Sequence, residues 1–262
     1  MSTPVKREDW EKPGVCCLSQ GRAGNATVYR LETPDGVVVI KDFRPCPWWI
    51  RWTWGRWMVA HEYRLMKCLE GVEGVPQKLF LVDKYAFGME FLKGITVSEY
   101  NHRFREKMCG RIPEVFLKEE IPLSFYRDLE RLVCKMHRRK VTHLDARNAK
   151  NVLILPGWKP ALIDFQSGVY IQKWFPRWVK KILQLADLSS VYKHYYCNCV
   201  RNGEIVEGKG AFPASRARLF VSHIKLRKLW VLEGYKFISH RKTKDYERVL
   251  LSRYDDKANG RA

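Results

Sequence analysis

The sequence lacks the cysteine motifs and the long apolar segments that are typical of zinc-binding, disulfide-bonded and membrane-spanning proteins. None of its eight cysteines forms a C-x-x-C pair, which argues against a zinc ribbon. The first fourteen residues contain no apolar core, so we expect no secretion signal and hence no disulfide framework. No apolar run approaches the length of a transmembrane helix. These absences predict a cytoplasmic protein with reduced cysteines.

Acidic residues are scarce relative to basic ones. The chain has 28 Asp and Glu against 48 Lys and Arg, a net charge of +20, and such a field attracts nucleic acid, anionic membranes or phosphorylated and acidic sugars. An apolar fraction of 46%, with 13% aromatic residues, is ample for a packed core and excludes wholesale disorder. A length of 262 residues suits one large domain or two lobes around a cleft.

The stretch 141–168 carries the strongest functional pattern. It reads as a polar loop, an apolar strand at Val152–Leu155, a turn, and a return strand at Ala161–Ile163. If these strands pair antiparallel, Asn151 and Asp164 lie opposite each other at the same end of the hairpin. An amide oxygen and a carboxylate at one end are ligands that suit magnesium.

A second carboxylate, Asp145, lies in the loop before the hairpin. Taken singly, Asp and Asn beside strands are most often turn formers, and only the joint arrangement points to catalysis. Phosphoryl transfer from ATP needs this set: Asp145 as the base, with Asn151 and Asp164 holding magnesium. We interpret His143 as structural.

A second group of candidate residues lies nearer the N-terminus. The segments 15–31 and 37–43 predict three strands, joined first by a small flexible loop whose backbone N–H groups could approach phosphate. Lys41 ends the apolar run of the third strand. Glu62 lies on the apolar side of a predicted helix, Met58–Leu69, where a carboxylate requires a cation. Lys41 is the natural partner.

The order of these residues resembles the protein-kinase superfamily, whose pattern is H-x-D, then Asn, then D-F-G. The matching residues are His143-Leu144-Asp145, Asn151 and Asp164-Phe165-Gln166. Asn151 follows Asp145 by six positions rather than the usual five, Gln166 replaces glycine, and no A-P-E motif follows. These departures make the chain similar to the atypical bacterial kinases grouped with RIO-type and lipopolysaccharide core kinases.

The resemblance implies an α+β, two-lobed protein-kinase-like fold, with a small antiparallel β lobe and a larger, mainly helical lobe. The expected divisions are an N-terminal extension at 1–14, a small lobe at 15–91, a large lobe at 92–240 and a polar tail at 241–262. Further helices are predicted over 122–140, 187–196 and 214–235.

The resemblance also implies ATP and magnesium as cofactors. Lys41, paired with Glu62, would hold the phosphates, and Arg147, two residues after Asp145 where many kinases have a lysine, would steady the transferring phosphoryl group. Two further strands are predicted over 75–91, and backbone groups around Glu90 and Leu92 at their end would bind adenine. The expected ATP-binding residues are Gly21, Ala23, Val28, Lys41, Met89, Glu90 and Leu92. Of the glycine-loop pattern, only Gly21 and Val28 match in register.

Two tryptophan-rich segments bear on the acceptor of the phosphoryl group. Trp48–Trp57 holds five of the ten tryptophans, and Trp174–Trp178 is a second cluster; both are interleaved with basic residues. Such segments suit the headgroup level of a bilayer, a stacking platform for nucleic acid, or packing against the protein body. We favour a sugar hydroxyl on an anionic lipid at the inner membrane. A RIO-like protein serine/threonine kinase and a pseudokinase scaffold remain as alternatives.

Overall fold

The chain folds into one antiparallel sheet followed by a mainly helical region. The structure, a computed structural model, describes residues 5–12, 14–21, 24–108, 120–201, 204–205, 211–230 and 244–255. Strands and helices are both abundant, which confirms the predicted α+β class. Among the described residues, none of the helices combines the length and apolar composition needed to cross a bilayer.

The first sheet has five strands in the order β1-β2-β3-β5-β4, and every neighbouring pair is antiparallel. The strands predicted over 15–43 are therefore confirmed. Gly36 closes the turn between β2 and β3 at φ +119°, a conformation that a residue with a side chain rarely adopts. The strands are β1 (Cys16–Ser19), β2 (Thr27–Thr33), β3 (Gly36–Asp42), β4 (Phe80–Asp83) and β5 (Ala86–Glu90).

One continuous helical segment connects β3 to β4. It consists of α2 (Trp48–Ile50), a π-helical turn (Arg51–Gly55) and α3 (Arg56–Cys68). Gly55 allows the segment to approach the sheet, because a Cβ there would lie 3.0 Å from the Cβ of Phe43. The buried side of α3 follows the predicted apolar stripe, with Met58, Val59, Glu62, Leu65 and Met66 buried.

The chain then builds the region that contains the candidate site. Strand β8 lies between β6 and β9 in a three-stranded antiparallel sheet, and β7 pairs with β10. Helix α5 packs its buried face here and agrees with the prediction over 122–140. The elements are β6 (Ile95–Thr96), α4 (Val97–Met108), α5 (Leu123–Arg138), β7 (Val141–Thr142), β8 (Val152–Leu155), a 3₁₀ turn (Pro156–Trp158), β9 (Lys159–Leu162) and β10 (Val169–Tyr170).

The remaining helices differ from the prediction in extent. The helix predicted from residue 187 begins earlier, at Arg177. The tail predicted to be polar contains a helix whose Tyr246 and Leu250 are buried, because these apolar residues recur at helical spacing. The elements are α6 (Arg177–Cys199), β11 (Val200–Arg201), β12 (Glu204–Ile205), α7 (Ala214–Trp230) and α8 (Asp245–Tyr254).

The segment predicted as an N-terminal extension is attached to the sheet. It forms α1 (Glu8–Glu11), and the Trp10 side chain is buried against the sheet core. Arg7 bonds to Asp42 at 2.5 Å and to Asp83 at 2.8 Å, joining the ends of two strands. The first described residues therefore pack against the five-stranded sheet.

Candidate functional site

Lys41 is placed by the register of the sheet. It lies opposite Val28 of β2 and Phe87 of β5, so neighbours on both sides fix its backbone. Its Nζ lies 2.6 Å from Glu62 Oε1 and 2.8 Å from Asp164 Oδ1. The expected pairing of Lys41 with Glu62 is therefore present, and Asp164 joins it.

Two carboxylates share this one ammonium group. Burial by itself lowers the pKa of Lys41, but the two carboxylates outweigh it and raise that pKa, so Lys41 stays charged. Burial raises the pKa of Asp164, yet Lys41 overcomes it and holds that pKa below its ordinary value. The cluster therefore contains two carboxyl groups and one ammonium group, and this excess of acidic groups favours the binding of a further cation.

Glu62 joins α3 to the loop after β9. Its Oε1 also accepts the backbone N–H of Phe165 at 2.9 Å, so helix and loop are held together. Its Oε2 is buried and has no hydrogen-bond partner. Burial therefore raises the pKa of Glu62, although the positive charge of Lys41 acts to lower it.

The segment around Asp164 has an unusual backbone. Asp164 adopts φ 67°, which is uncommon for a residue with a side chain and indicates local strain. Phe165 is fully buried, and its ring lies 4.6 Å from that of His143. His143 Nε2 is within 2.9 Å of the carbonyl oxygen of Ile163. The interpretation of His143 as a structural residue agrees with these contacts.

The predicted hairpin is formed, and Asn151, just before its first strand, contacts Asp145 in the preceding loop. Strands β8 and β9 pair antiparallel, with Val152 opposite Leu162, and the Ile163 N–H extends the ladder to Asn151 O at 3.0 Å. Asn151 Nδ2 donates to Asp145 Oδ2 at 2.8 Å. Asp145 and Asn151 are thus in contact. Asn151 lies opposite Ile163, so the predicted register, with Asn151 opposite Asp164, was wrong by one residue.

The additional residue between Asp145 and Asn151 is absorbed by two successive turns. The Asn148 N–H donates to Asp145 O at 3.1 Å, and the Asn151 N–H donates to Asn148 O at 3.0 Å. The Asn148 side chain also accepts the Lys150 N–H at 3.2 Å. The longer loop therefore still delivers Asn151 to Asp145.

Asp187 is a site residue that the sequence reasoning missed. It is completely buried on α6, and its carboxylate accepts the N–H groups of His143 at 2.8 Å and Leu144 at 2.7 Å. It also lies 3.0 Å from His137 Nε2. Leu144 has φ 60°, so Asp187 holds a strained backbone directly before Asp145. The available signal in the sequence was an acid between apolar residues, Ala186 and Leu188, which marks a position inside the protein but not its partners.

Helix α6 supports the rest of the loop. His194 Nε2 lies 2.8 Å from Ala146 O, and Lys193 Nζ donates to Arg147 O. Burial lowers the pKa of His194 to about 4, so the ring is neutral at pH 7 and donates to the carbonyl. The Arg147 side chain reaches Ser189 Oγ at 3.4 Å. Arg147 therefore lies against α6.

The expected nucleotide residues lie along the first sheet. The Gly21 N–H donates to Thr27 Oγ1 at 3.2 Å, and a Cβ on Gly21 would lie 2.1 Å from Asn25 O, so only glycine fits. Ala23 lies outside the described residues. Val28 is half-buried beside Lys41.

The residues predicted to bind adenine lie at the end of β5. Met89 is buried, and the Glu90 N–H donates to Gln77 O at 2.9 Å. The next N–H, from Phe91, donates to Val37 O at 3.0 Å. Both N–H groups are therefore used by the protein, and Leu92 is the first residue beyond them.

The oxygen atoms present suit a magnesium ion that is shared with a nucleotide. Because the Asn151 nitrogen donates to Asp145, the Asn151 side-chain oxygen is the atom left for a cation. Asn151 lies opposite Ile163, the residue that precedes Asp164. Among the described residues, no cluster of three or more His, Cys, Asp or Glu side chains forms a metal site. Magnesium commonly binds through one or two carboxylates, water and substrate phosphates, and the site fits that pattern.

No protein-family model matches the chain, and no curated protein matches it.

Proposed function

We propose that the protein is an ATP- and magnesium-dependent phosphotransferase with a two-lobed, protein-kinase-like fold. The observation that carries the proposal is the contact of Lys41 with both Glu62 and Asp164, beside the Asp145–Asn151 pair. A buried lysine held by two acids is a costly arrangement for stability alone, since each desolvated charge must be compensated. It is suited to holding the phosphates of ATP.

Each residue has a distinct role in this proposal. Lys41, fixed by Glu62, binds the phosphates, and Asp145 orients the acceptor hydroxyl and takes its proton. Asn151 and Asp164 hold magnesium, which when bound neutralises charge on the transferring phosphoryl group. Arg147 steadies that group, although its contact with Ser189 means that it must turn to do so.

The proposed nucleotide site extends from the glycine-containing loop to the end of β5. Gly21 and Val28 line the phosphate end together with Ala23, whose structure is not described. Met89 lies behind the adenine, Glu90 contributes its carbonyl, and the backbone of Leu92 completes the set.

The acceptor is a hydroxyl, and we propose a sugar hydroxyl on an anionic lipid of the lipopolysaccharide core type. The supporting observation is the exposure of the tryptophan-rich segment: its five indoles are between 52% and 71% exposed. Packing against the protein body, the alternative for this segment, therefore does not describe it. Indoles interleaved with basic residues suit a lipid interface.

The test is transfer of label from ATP in the presence of magnesium, with lipid extract and a protein mixture offered in parallel. We expect label in the lipid fraction with wild type, none with Asp164→Ala, and wild-type labelling with the exposed-turn control Asp35→Ala. Label in protein instead would favour the RIO-like kinase. ATP binding without labelling of either fraction would favour the scaffold and contradict the proposal.

A further inference from the structure

The helical segment between β3 and β4 presents an unusual surface. Five tryptophans on α2, the π-helical turn and the start of α3 are each more than half exposed, although large apolar side chains are normally covered. We call them the indole face. They are Trp48, Trp49, Trp52, Trp54 and Trp57.

Basic side chains accompany the indole face without neutralisation. Arg56 and Lys84 lie over the Trp52 ring at 5.9 and 5.6 Å, and Arg51 lies over Tyr85. Within the described part of the chain, none of these three cations pairs with a carboxylate. Their charge is therefore available to an anionic surface.

An open groove of about 640 Å³ continues this surface along α3. Arg56 and Lys84 line it together with Arg64 and with Lys67, which is paired with Glu70. The acid in its lining, Asp83, is bound by Arg7. The groove therefore places cations beside the indole face, because Arg56 and Lys84 line the groove and also lie over the Trp52 ring. Cations next to exposed indoles suit the phosphate headgroups at the surface of a bilayer.

We propose that the indole face and this groove dock the protein on an anionic phospholipid membrane. Indoles lie with their bodies at the apolar boundary and their N–H groups in the wet headgroup layer, and cations beside them bind lipid phosphates. A nucleic acid is the other polyanion that aromatic and basic residues can bind. It is less well matched, because Trp54 packs on Trp57 and Trp57 stacks on His61, which occupies ring faces that bases would need.

The docked face borders the candidate active site at two points. A Cβ built on Gly24, in the loop after Gly21, would lie 3.8 Å from Trp54 Cδ1. Trp57 stacks on His61, whose Nε2 lies 2.9 Å from the carbonyl oxygen of Gly168 in the loop after Asp164. A membrane on this face would therefore lie beside both loops that flank Lys41. The relevance of this position to phosphoryl transfer rests on the proposed function, whereas the docking itself does not.

Sedimentation with phospholipid vesicles tests the docking, using the full chain without ATP so that docking and phosphoryl transfer can fail separately. We expect binding to vesicles of phosphatidylcholine with phosphatidylglycerol, at least tenfold weaker binding to phosphatidylcholine alone, and weakening by salt. The double variant Trp48→Ser, Trp49→Ser should bind at least tenfold more weakly. The control Leu18→Ser, an exposed aliphatic residue on β1, should bind as wild type.

A charge series keeps the test independent of any folding defect in the tryptophan variant. Arg51→Gln and Lys84→Gln should each weaken vesicle binding about fivefold, which corresponds to ~1 kcal/mol per cation at the membrane surface. Lys159→Gln, an exposed lysine paired with Glu73, is the matched control and should have no effect.

Two results would overturn the proposal. One is wild-type protein that binds the anionic vesicles no better than the neutral ones, or charge variants that bind them as well as wild type does. The other is binding of single-stranded poly(U) RNA, without vesicle binding, that the double tryptophan variant loses. That result would assign the indole face to nucleic acid.

Discussion

Asp187 offers the sharpest test of how the catalytic loop is held. It is fully buried, and its carboxylate accepts the N–H groups of His143 and Leu144 at 2.8 and 2.7 Å. Asp187→Asn keeps the shape of the side chain but replaces one acceptor oxygen with an amino group that cannot accept. One of the two backbone N–H groups then loses its partner in a buried setting.

The expected cost follows from these contacts. A buried N–H left without a partner costs about 1–3 kcal/mol, and the remaining hydrogen bond loses the charge of its acceptor, roughly another 1 kcal/mol. The strained backbone of Leu144, at φ 60°, also loses part of its restraint. We therefore expect Asp187→Asn to lower the free energy of unfolding by about 2–4 kcal/mol.

Urea denaturation followed by tryptophan fluorescence measures this change. The control is Asp128→Asn, an exposed acid paired with Arg131, for which we expect a change within about 0.5 kcal/mol. Because Asp187 acts through the loop and not on the nucleotide residues, turnover should fall at least tenfold while ATP affinity stays within about twofold. A variant with the wild-type urea midpoint and slope would refute the reasoning.

Three further predictions address other buried ionisable groups. Lys41→Met leaves Glu62 buried without its cation, so urea denaturation should show a loss of about 3–5 kcal/mol, together with lost ATP binding. Because burial lowers the pKa of His194 to about 4, the unfolded chain binds a proton that the folded chain does not. Stability should fall by roughly 3 kcal/mol as pH drops from about 6.5 toward 4, and His194→Gln should flatten that profile. Arg7→Ala removes the cation from buried Asp42 and should cost about 2 kcal/mol in thermal unfolding, whereas a wild-type melting curve would contradict this role.

The pairing of Lys41 with Glu62 was predictable from local patterns. Lys41 ends the apolar run of β3, the helical repeat of α3 places Glu62 on the apolar face, and a carboxylate there requires a cation. The β8–β9 hairpin was predictable as a pair of strands, since two apolar runs flank a turn, but its register was not: the three-residue turn at Pro156–Trp158 places Asn151 opposite Ile163 and not opposite Asp164.

Asp187, Trp10 and α8 were not predictable in this way. Asp187 receives its partners from a loop more than forty positions earlier in the chain, so no local pattern announces the contact. Trp10 is buried where Arg7 ties its helix to Asp42 and Asp83, contacts that join residues far apart in the sequence. Helix α8 contains many charged residues, which hid the apolar positions that it buries against α7.

Two of the departures from the kinase pattern, the longer loop and Gln166, are accommodated by the local backbone. The longer loop is taken up by the turns at Asn148, so Asn151 still reaches Asp145 at 2.8 Å. Among the described residues, the left-handed conformation in the D-F-Q segment lies at Asp164 and not at Gln166. Glycine's access to positive φ is therefore not needed at Gln166, and glutamine there adds no backbone strain. The labelling experiment decides between phosphoryl transfer and a pseudokinase scaffold.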